Sequence, residues 1–264
     1  AGLTAVDTAV SSRTPANISE ARQITDKTHK DSLKRTIQEL EAFGERASWE
    51  KQDRAIAWAK EQFEKGGLKA WTETYEGRGQ QWTNAFARIE GRSRPDESVL
   101  VIAHIDSKSD RPNEAAPGAD DNGSGVAVLL EIARSLQETK PEKSILFGVF
   151  SNEETGYLGS KAFARKARAE NRHIQSVINL DILGYNPQWA FGLRELVASS
   201  ESIKNKAKIL VKIAKNLLSF AGNGRDVLWV AGRPGDGDLV RTVAGLIRSS
   251  GMATVKELIK SDCR

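Results

Sequence analysis

Four short segments carry residues whose types and spacing could do chemistry. They are His104-Ile105-Asp106-Ser107, the run 117–125 with Asp120 and Asp121, Ser151-Asn152-Glu153-Glu154, and Asp181. Singly, each has an ordinary reading. An acid at a strand end commonly faces water or caps a helix, and Asp120-Asp121-Asn122-Gly123-Ser124 has the composition of a turn and a cap. Gathered together they mean something else. Four or five acids facing one another would repel strongly without a cation, and a pair of divalent ions removes that penalty. One His among several carboxylates suits zinc, manganese or cobalt. The spacing His104-x-Asp106 suits a metal-bound imidazole whose second N–H goes to a carboxylate. Glu153 and Glu154 can divide labour, one binding an ion and the other taking a proton from an activated water. Asp120, at a turn into a helix, could bridge two ions.

Such a site needs elements that bring the four segments to one rim. Continuous apolar runs at Ser98–Ala103, Ser144–Phe150 and Ile174–Leu180 suit strands buried on both faces, and each ends where a candidate segment begins. Between the first two, Val126, Leu129, Leu130, Ala133 and Leu136 form one stripe of a helix over Ser124–Leu136. Lys161–Ala169 predicts a short helix before the third strand. Upstream, Leu33, Ile37 and Leu40 predict one helix, and Ile56, Ala59 and Phe63 a second that ends at Gly66-Gly67. Alternation at Trp71, Glu73 and Tyr75 then predicts an edge strand, Trp82–Ile89 its partner, and Arg92–Glu97 a charged turn. Downstream, Ile203–Phe220 predicts a helix, and Val227–Ala231 and Val255–Ile259 strands flanking a helix at Leu239–Ile247. The expected fold class is α/β: a mixed, mainly parallel central sheet with helices on both faces and an antiparallel edge. In such sheets sites form in the loops at the carboxyl ends of the strands. The expected organisation is a loosely packed arm over residues 1–27 and a single catalytic domain over 28–264.

Composition narrows the chemistry. The 264 residues hold one Cys, which excludes an intrachain disulfide framework and a cysteine zinc ribbon. The three histidines, His29, His104 and His173, make any metal site lean on carboxylates. The net charge of +4 comes from 39 basic and 35 acidic residues that are interleaved, so a solvated surface is expected and nucleic acid is not. No apolar run reaches the ~18 residues of a membrane span. The start at Ala1 without Met suits a processed product, and a secreted or periplasmic location is the expectation, with a cytoplasmic one as alternative.

The segments "AHIDS" (103–107), "PGADDNGSGVAVLLEIARSL" (117–136), "FSNEETGYLGSKAF" (150–163) and "INLDILGY" (178–185) resemble the co-catalytic zinc aminopeptidases, the family of bacterial leucyl aminopeptidases. A looser resemblance reaches upstream to about residue 30 and includes Asn84. The resemblance implies a zinc-exopeptidase-like sandwich, two Zn2+ ions and peptide substrates with a free N-terminus. It implies that His104 and Asp181 hold the first metal, that Asp120 bridges both, and that Glu154 binds the second. Glu153 is then the general base, Asp106 the partner of His104, and Asp121 follows the bridging residue across a cis peptide.

In one respect the sequence departs from the family. Relatives carry a late metal-binding His, and here no His follows His173. The second metal is therefore expected to lack a ligand and the domain to lack its C-terminal end, with Cys263 a candidate thiolate ligand. Two other functions are open, a glutaminyl cyclase-like enzyme with one zinc and a metal-deficient, non-catalytic relative. Trp189, Phe191, Phe220 and Trp229 are candidates for an apolar substrate pocket, and their types do not say which residue it prefers.

Overall fold

Two amphipathic helices open the described chain. The computed structural model describes residues 27–109, 115–184, 227–232 and 254–259. Helix α1 spans Lys30–Glu41 and buries Leu40. Its first turn is held from a distance, since the His29 N–H donates to the buried Glu131 carboxylate at 2.6 Å. Helix α2, Trp49–Lys65, starts at Ser48, whose hydroxyl accepts the Lys51 N–H, and buries Ala55, Ile56, Ala59 and Phe63 along one face.

Strands β1 (Lys69–Gly77) and β2 (Gln80–Ile89) form an antiparallel hairpin. After them come β3 (Arg94–His104), α3 (Gly123–Leu136), β4 (Lys143–Phe150), α4 (Leu158–Ala169) and β5 (His173–Asn179). The five strands make one sheet in the order β1-β2-β4-β3-β5. β4, β3 and β5 are parallel, and β2 joins β4 antiparallel. This is the mixed, mainly parallel sheet with an antiparallel edge that the apolar runs predict.

The pleat sends alternate residues to two cores. On one face Ala85, Ala87, Val101, Ala103, Phe147 and Val149 meet Leu40 of α1, Ile56 and Phe63 of α2, and Val126 and Leu129 of α3. On the other, Phe86, Leu100, Leu146 and Phe150 meet Phe163 and Ala167 of α4. The Phe86 ring lies 5.8 Å from Trp71, 5.7 Å from Phe150 and 5.1 Å from Phe163, measured between centroids. Helices therefore cover both faces.

Three local expectations change. Arg92–Glu97 is not simply a turn: β3 begins at Arg94, whose charges are met across the strands by Arg94–Glu142 and Lys143–Glu97 pairs. Cross-strand ion pairs let a charged sequence lie extended. Helix α4 begins at Leu158, three residues before Lys161, because the Leu158 and Gly159 N–H groups find the Asn152 and Ser151 carbonyls. β5 is not buried on both faces: among the described residues it is a sheet edge, and Val177 is 49% exposed.

The chain divides into two compact units, Ile24–Tyr185 and a second that contains β6 (Val227–Gly232) and β7 (Thr254–Ile259). β6 and β7, at the two strands that their apolar runs predict, pair in parallel as a two-stranded sheet. The arm over residues 1–26 and the helices expected at 203–220 and 239–247 lie outside the described residues.

Candidate metal centre

Because β4, β3 and β5 are parallel neighbours, their carboxyl ends share a rim, with α3 leaving to one face and α4 to the other. Such a divergence opens a crevice at the strand ends. His104 is the last residue of β3, in register with Phe150, the last of β4. β5 ends at Asn179, two residues before Asp181.

His104 is 5% exposed, with Nε2 3.2 Å from Asp121 Oδ1 and 3.5 Å from Asp181 Oδ1. The three residues each offer a ligand atom within 4.8 Å of the others. The aspartate beside His104 is therefore Asp121, and the bridging place expected for Asp120 is not where Asp120 lies. Asp120 turns toward the chain after β5, its Oδ1 accepting the Gly184 N–H at 2.7 Å and its carbonyl accepting the Ser124 hydroxyl. The cis peptide also falls one residue later than expected, between Asp121 and Asn122. Asn122 caps α3 through the Gly125 N–H and donates to the Leu180 carbonyl at 2.9 Å, which ties the helix start to the end of β5.

Glu153 and Glu154 face the same cavity of about 390 Å³, which His104, Asp121, Asp181, Tyr157 and Ile182 also line. The backbone of this segment is fixed by side chains from β2, α2 and the loop after β3. The N–H of Ser151 goes to Asn84 Oδ1 of β2, that of Asn152 to Gln52 Oε1 of α2, and those of Glu153 and Glu154 to the two carboxylate oxygens of Asp106. All three acceptors are at least 98% buried. The charge-assisted pair at Asp106 is the stronger of these attachments. Asp106 was expected to serve His104. Its carboxylate lies 3.7 Å from His104 Nδ1, which is 3.2 Å from the Asp106 carbonyl, so the residue orients the imidazole and the glutamates together. Asn84 also donates to the Gly159 carbonyl, and a Cβ at Gly159 would come within 2.5 Å of Asn84 Oδ1 and 2.4 Å of the Ser151 carbonyl. Only glycine fits there.

The electrostatics of the site suit a cation. Burial alone would lower the His104 pKa, but Asp106, Asp121 and Asp181 push it up to about 12. The His104 hydrogen bond in turn holds the Asp121 carboxyl below the ordinary range. Burial, reinforced by Asp121, pushes the Glu154 carboxyl up to about 7; burial and the neighbouring Asp106, Asp181 and Asp121 charges also raise Glu153. Asp181 Oδ1 is a buried atom with no hydrogen-bond partner. A divalent ion among His104, Asp121 and Asp181 would satisfy that oxygen and replace the imidazolium charge, so the donor set fits a metal.

The sequence reading missed the supports. Arg46, Gln52 and Tyr75 lie in segments with no chemical signature, and contact the site's loops only through the fold. Tyr75 reaches Ser151 Oγ and accepts from Asn152 Nδ2, both at 2.9 Å. Trp189, Phe191, Phe220, Cys263 and the side chain of Trp229 lie outside what is described.

Comparison with known proteins points the same way. The model of peptidase family M28 matches residues 84–226. A "Probable leucine aminopeptidase" of Arthroderma otae is 33% identical over 171 residues, 59% of this chain and 45% of that protein. A "Probable zinc metalloprotease" of Pyrenophora tritici-repentis is 38% identical over 105 residues, 39% of this chain and 24% of that protein. The chain thus spans less than half the length of these curated relatives. The crystal structure of LapB from Legionella pneumophila shares the fold at a TM-score of 0.69 and 20% identity, over 94% of this chain and 59% of LapB. With more than half of its residues matched by the family model, and with that model spanning the four segments that meet at the rim, the chain belongs to peptidase family M28.

Proposed function

We propose that this chain is a metal-dependent aminopeptidase that hydrolyses the N-terminal peptide bond of peptides, with zinc as its metal. The observation that carries the reading is the His104–Asp121–Asp181 group facing Glu153 and Glu154 across one cavity, with the glutamate backbone locked by Asp106. The leucine aminopeptidase and zinc metalloprotease relatives support the substrate class and the metal.

Zinc, when bound, supplies a Lewis acid that polarises the scissile carbonyl and acidifies water. His104, Asp121 and Asp181 would hold it, and Glu154, which lines the same cavity, would hold a second ion. Glu153 is the general base. Its carboxylate takes a proton from the attacking water and returns it to the departing amine. A carboxyl raised above its ordinary range by burial is a better base near neutral pH than an exposed one. Tyr157 and Ile182 give the cavity an apolar side.

Zinc per chain, leucine-p-nitroanilide hydrolysis and cyclisation of Gln-peptides test the reading. Zinc uptake with anilide hydrolysis is expected, and Glu153→Ala is expected to lower turnover about 10²–10⁴-fold with metal content unchanged. Undiminished turnover in that variant rejects the assignment. Cyclisation without hydrolysis would make the chain a glutaminyl cyclase, and neither zinc nor turnover a binding domain.

A further inference from the structure

Arg46 lies in the connection between α1 and α2 and is completely buried. Every hydrogen bond that its guanidinium makes among the described residues ends on a backbone carbonyl. Nε donates to Ile105 O at 2.6 Å, and Nη2 to Gly118 O at 3.1 Å. Nη1 donates to Leu40 O at 3.1 Å, to Gly44 O at 3.4 Å and to Pro117 O. The Arg46 N–H donates to Ser107 Oγ, and that hydroxyl donates to Ala116 O.

A buried arginine carries a desolvation penalty, and burial here pushes its pKa down to about 10, opposed by Asp106. Its partners show where that penalty is offset. Ile105 follows His104 directly, and Gly118 precedes Asp121 by three residues. The same Gly118 carbonyl also accepts the Gly123 N–H at the first turn of α3. The guanidinium therefore clips the exit of β3 to the entry of α3, across the loop that separates His104 from Asp121. Gly118 has φ +60°, and a Cβ there would stand 2.8 Å from Arg46 Nη2, 2.5 Å from the Asp121 carbonyl and 2.4 Å from Ser107 Cβ. The backbone must be bare for the clip to close. Asp181 is tied in separately, through Asn122 and the end of β5.

We propose that Arg46 is a positioning residue for metal binding: without touching the ion, it sets the separation of His104 and Asp121 and thereby the affinity for a divalent cation. The inference rests on reading His104, Asp121 and Asp181 as ligands. Five backbone contacts in a planar fork are beyond a lysine, so Arg46→Lys removes the clip while keeping the charge.

Cobalt(II) titration of the full chain, followed by its visible absorption, tests this in a double-mutant cycle, with circular dichroism and the unfolding midpoint recording the fold. Folded Arg46→Lys is expected to bind cobalt about 10–100-fold more weakly, the usual cost of losing a ligand's support, with an altered absorption band. In an Asp121→Asn background the same substitution is expected to change affinity by less than about twofold, and in an Asp181→Asn background to keep its effect. Gly118→Ala, which displaces the contact from the loop side, is expected to reproduce this pattern and serves if Arg46→Lys does not fold. Unchanged cobalt affinity in either folded variant, or an equal loss in both backgrounds, overturns the role of Arg46. A wild-type chain that takes up no cobalt instead rejects the metal site itself.

Discussion

Asp106 and Glu153 are joined by a side chain and a backbone amide: the Glu153 N–H donates to Asp106 Oδ1 at 3.0 Å. The other oxygen takes the Glu154 N–H at the same distance. A buried carboxylate thus orients two further acids by their amides, and leaves both acidic side chains free to face the cavity.

Asp106→Asn keeps one acceptor oxygen and puts an amide group against a backbone N–H. Turnover is expected to fall by more than tenfold, and the free energy of unfolding by about 1–3 kcal/mol, the cost of a buried donor left unpaired. Turnover measured beside a urea unfolding curve separates the two effects. A variant with wild-type turnover would show that the amide clamp is not needed for Glu153 to act.

Neighbouring aspartates are expected to differ sharply. Asp121→Asn exchanges an oxygen 3.2 Å from His104 Nε2 for a neutral one, and zinc affinity is expected to fall about tenfold or more. Asp120→Asn keeps an oxygen for the Gly184 N–H, and affinity is expected to stay within about threefold. Competition with a chromophoric chelator reads both. The reverse ranking would restore Asp120 to the bridging role.

Stability is expected to carry an acid limb through Glu73. Burial would raise this carboxyl, but hydrogen bonds from Arg172 and Lys166 outweigh it and hold the pKa below the ordinary value. Arg172 Nη2 lies 2.9 Å from Oε1, and Lys166 Nζ 3.1 Å from Oε2. A depressed carboxyl contributes stability that is complete above its unfolded pKa of about 4.3 and lost as pH falls through the folded value. The gap in melting temperature between wild type and Glu73→Gln is therefore expected to be constant from pH 6 to about 5 and to shrink below about 4. A gap that does not close in acid would remove the pairing as its cause.

Phe86→Ala leaves a cavity between the sheet and α4. Phe86 is fully buried against Trp71, Phe150 and Phe163, so the expected loss is about 3–5 kcal/mol by denaturant titration. A loss under about 1 kcal/mol would mean that α4 does not rest on this cluster.

Much of the fold is legible in the sequence because hydrophobic burial obeys local periods. Leu33, Ile37 and Leu40 repeat as a helix must, and the runs at Ser98 and Ser144 have nowhere to lie but inside. The period fails where side chains satisfy each other across strands. Arg94–Glu97 is charged like a turn and becomes strand because Lys143 and Glu142 meet it. At β5 an apolar run alone could not show how many neighbours the strand would have.

The types and order of the site residues were determined by the sequence itself, which sets a single His and several carboxylates at three strand ends, a donor set that suits a cation. Which aspartate turns inward was decided by tertiary structure alone. Asp120 and Asp121 are chemically identical; the backbone before them is tied by Arg46 to the exit of β3, and the backbone after them by Asn122 to the end of β5. The contacts of the supports are hidden for the same reason, even at Asn84, which the resemblance includes. Arg46, Gln52 and Asn84 act on residues up to 100 positions away, through backbone groups that every sequence possesses.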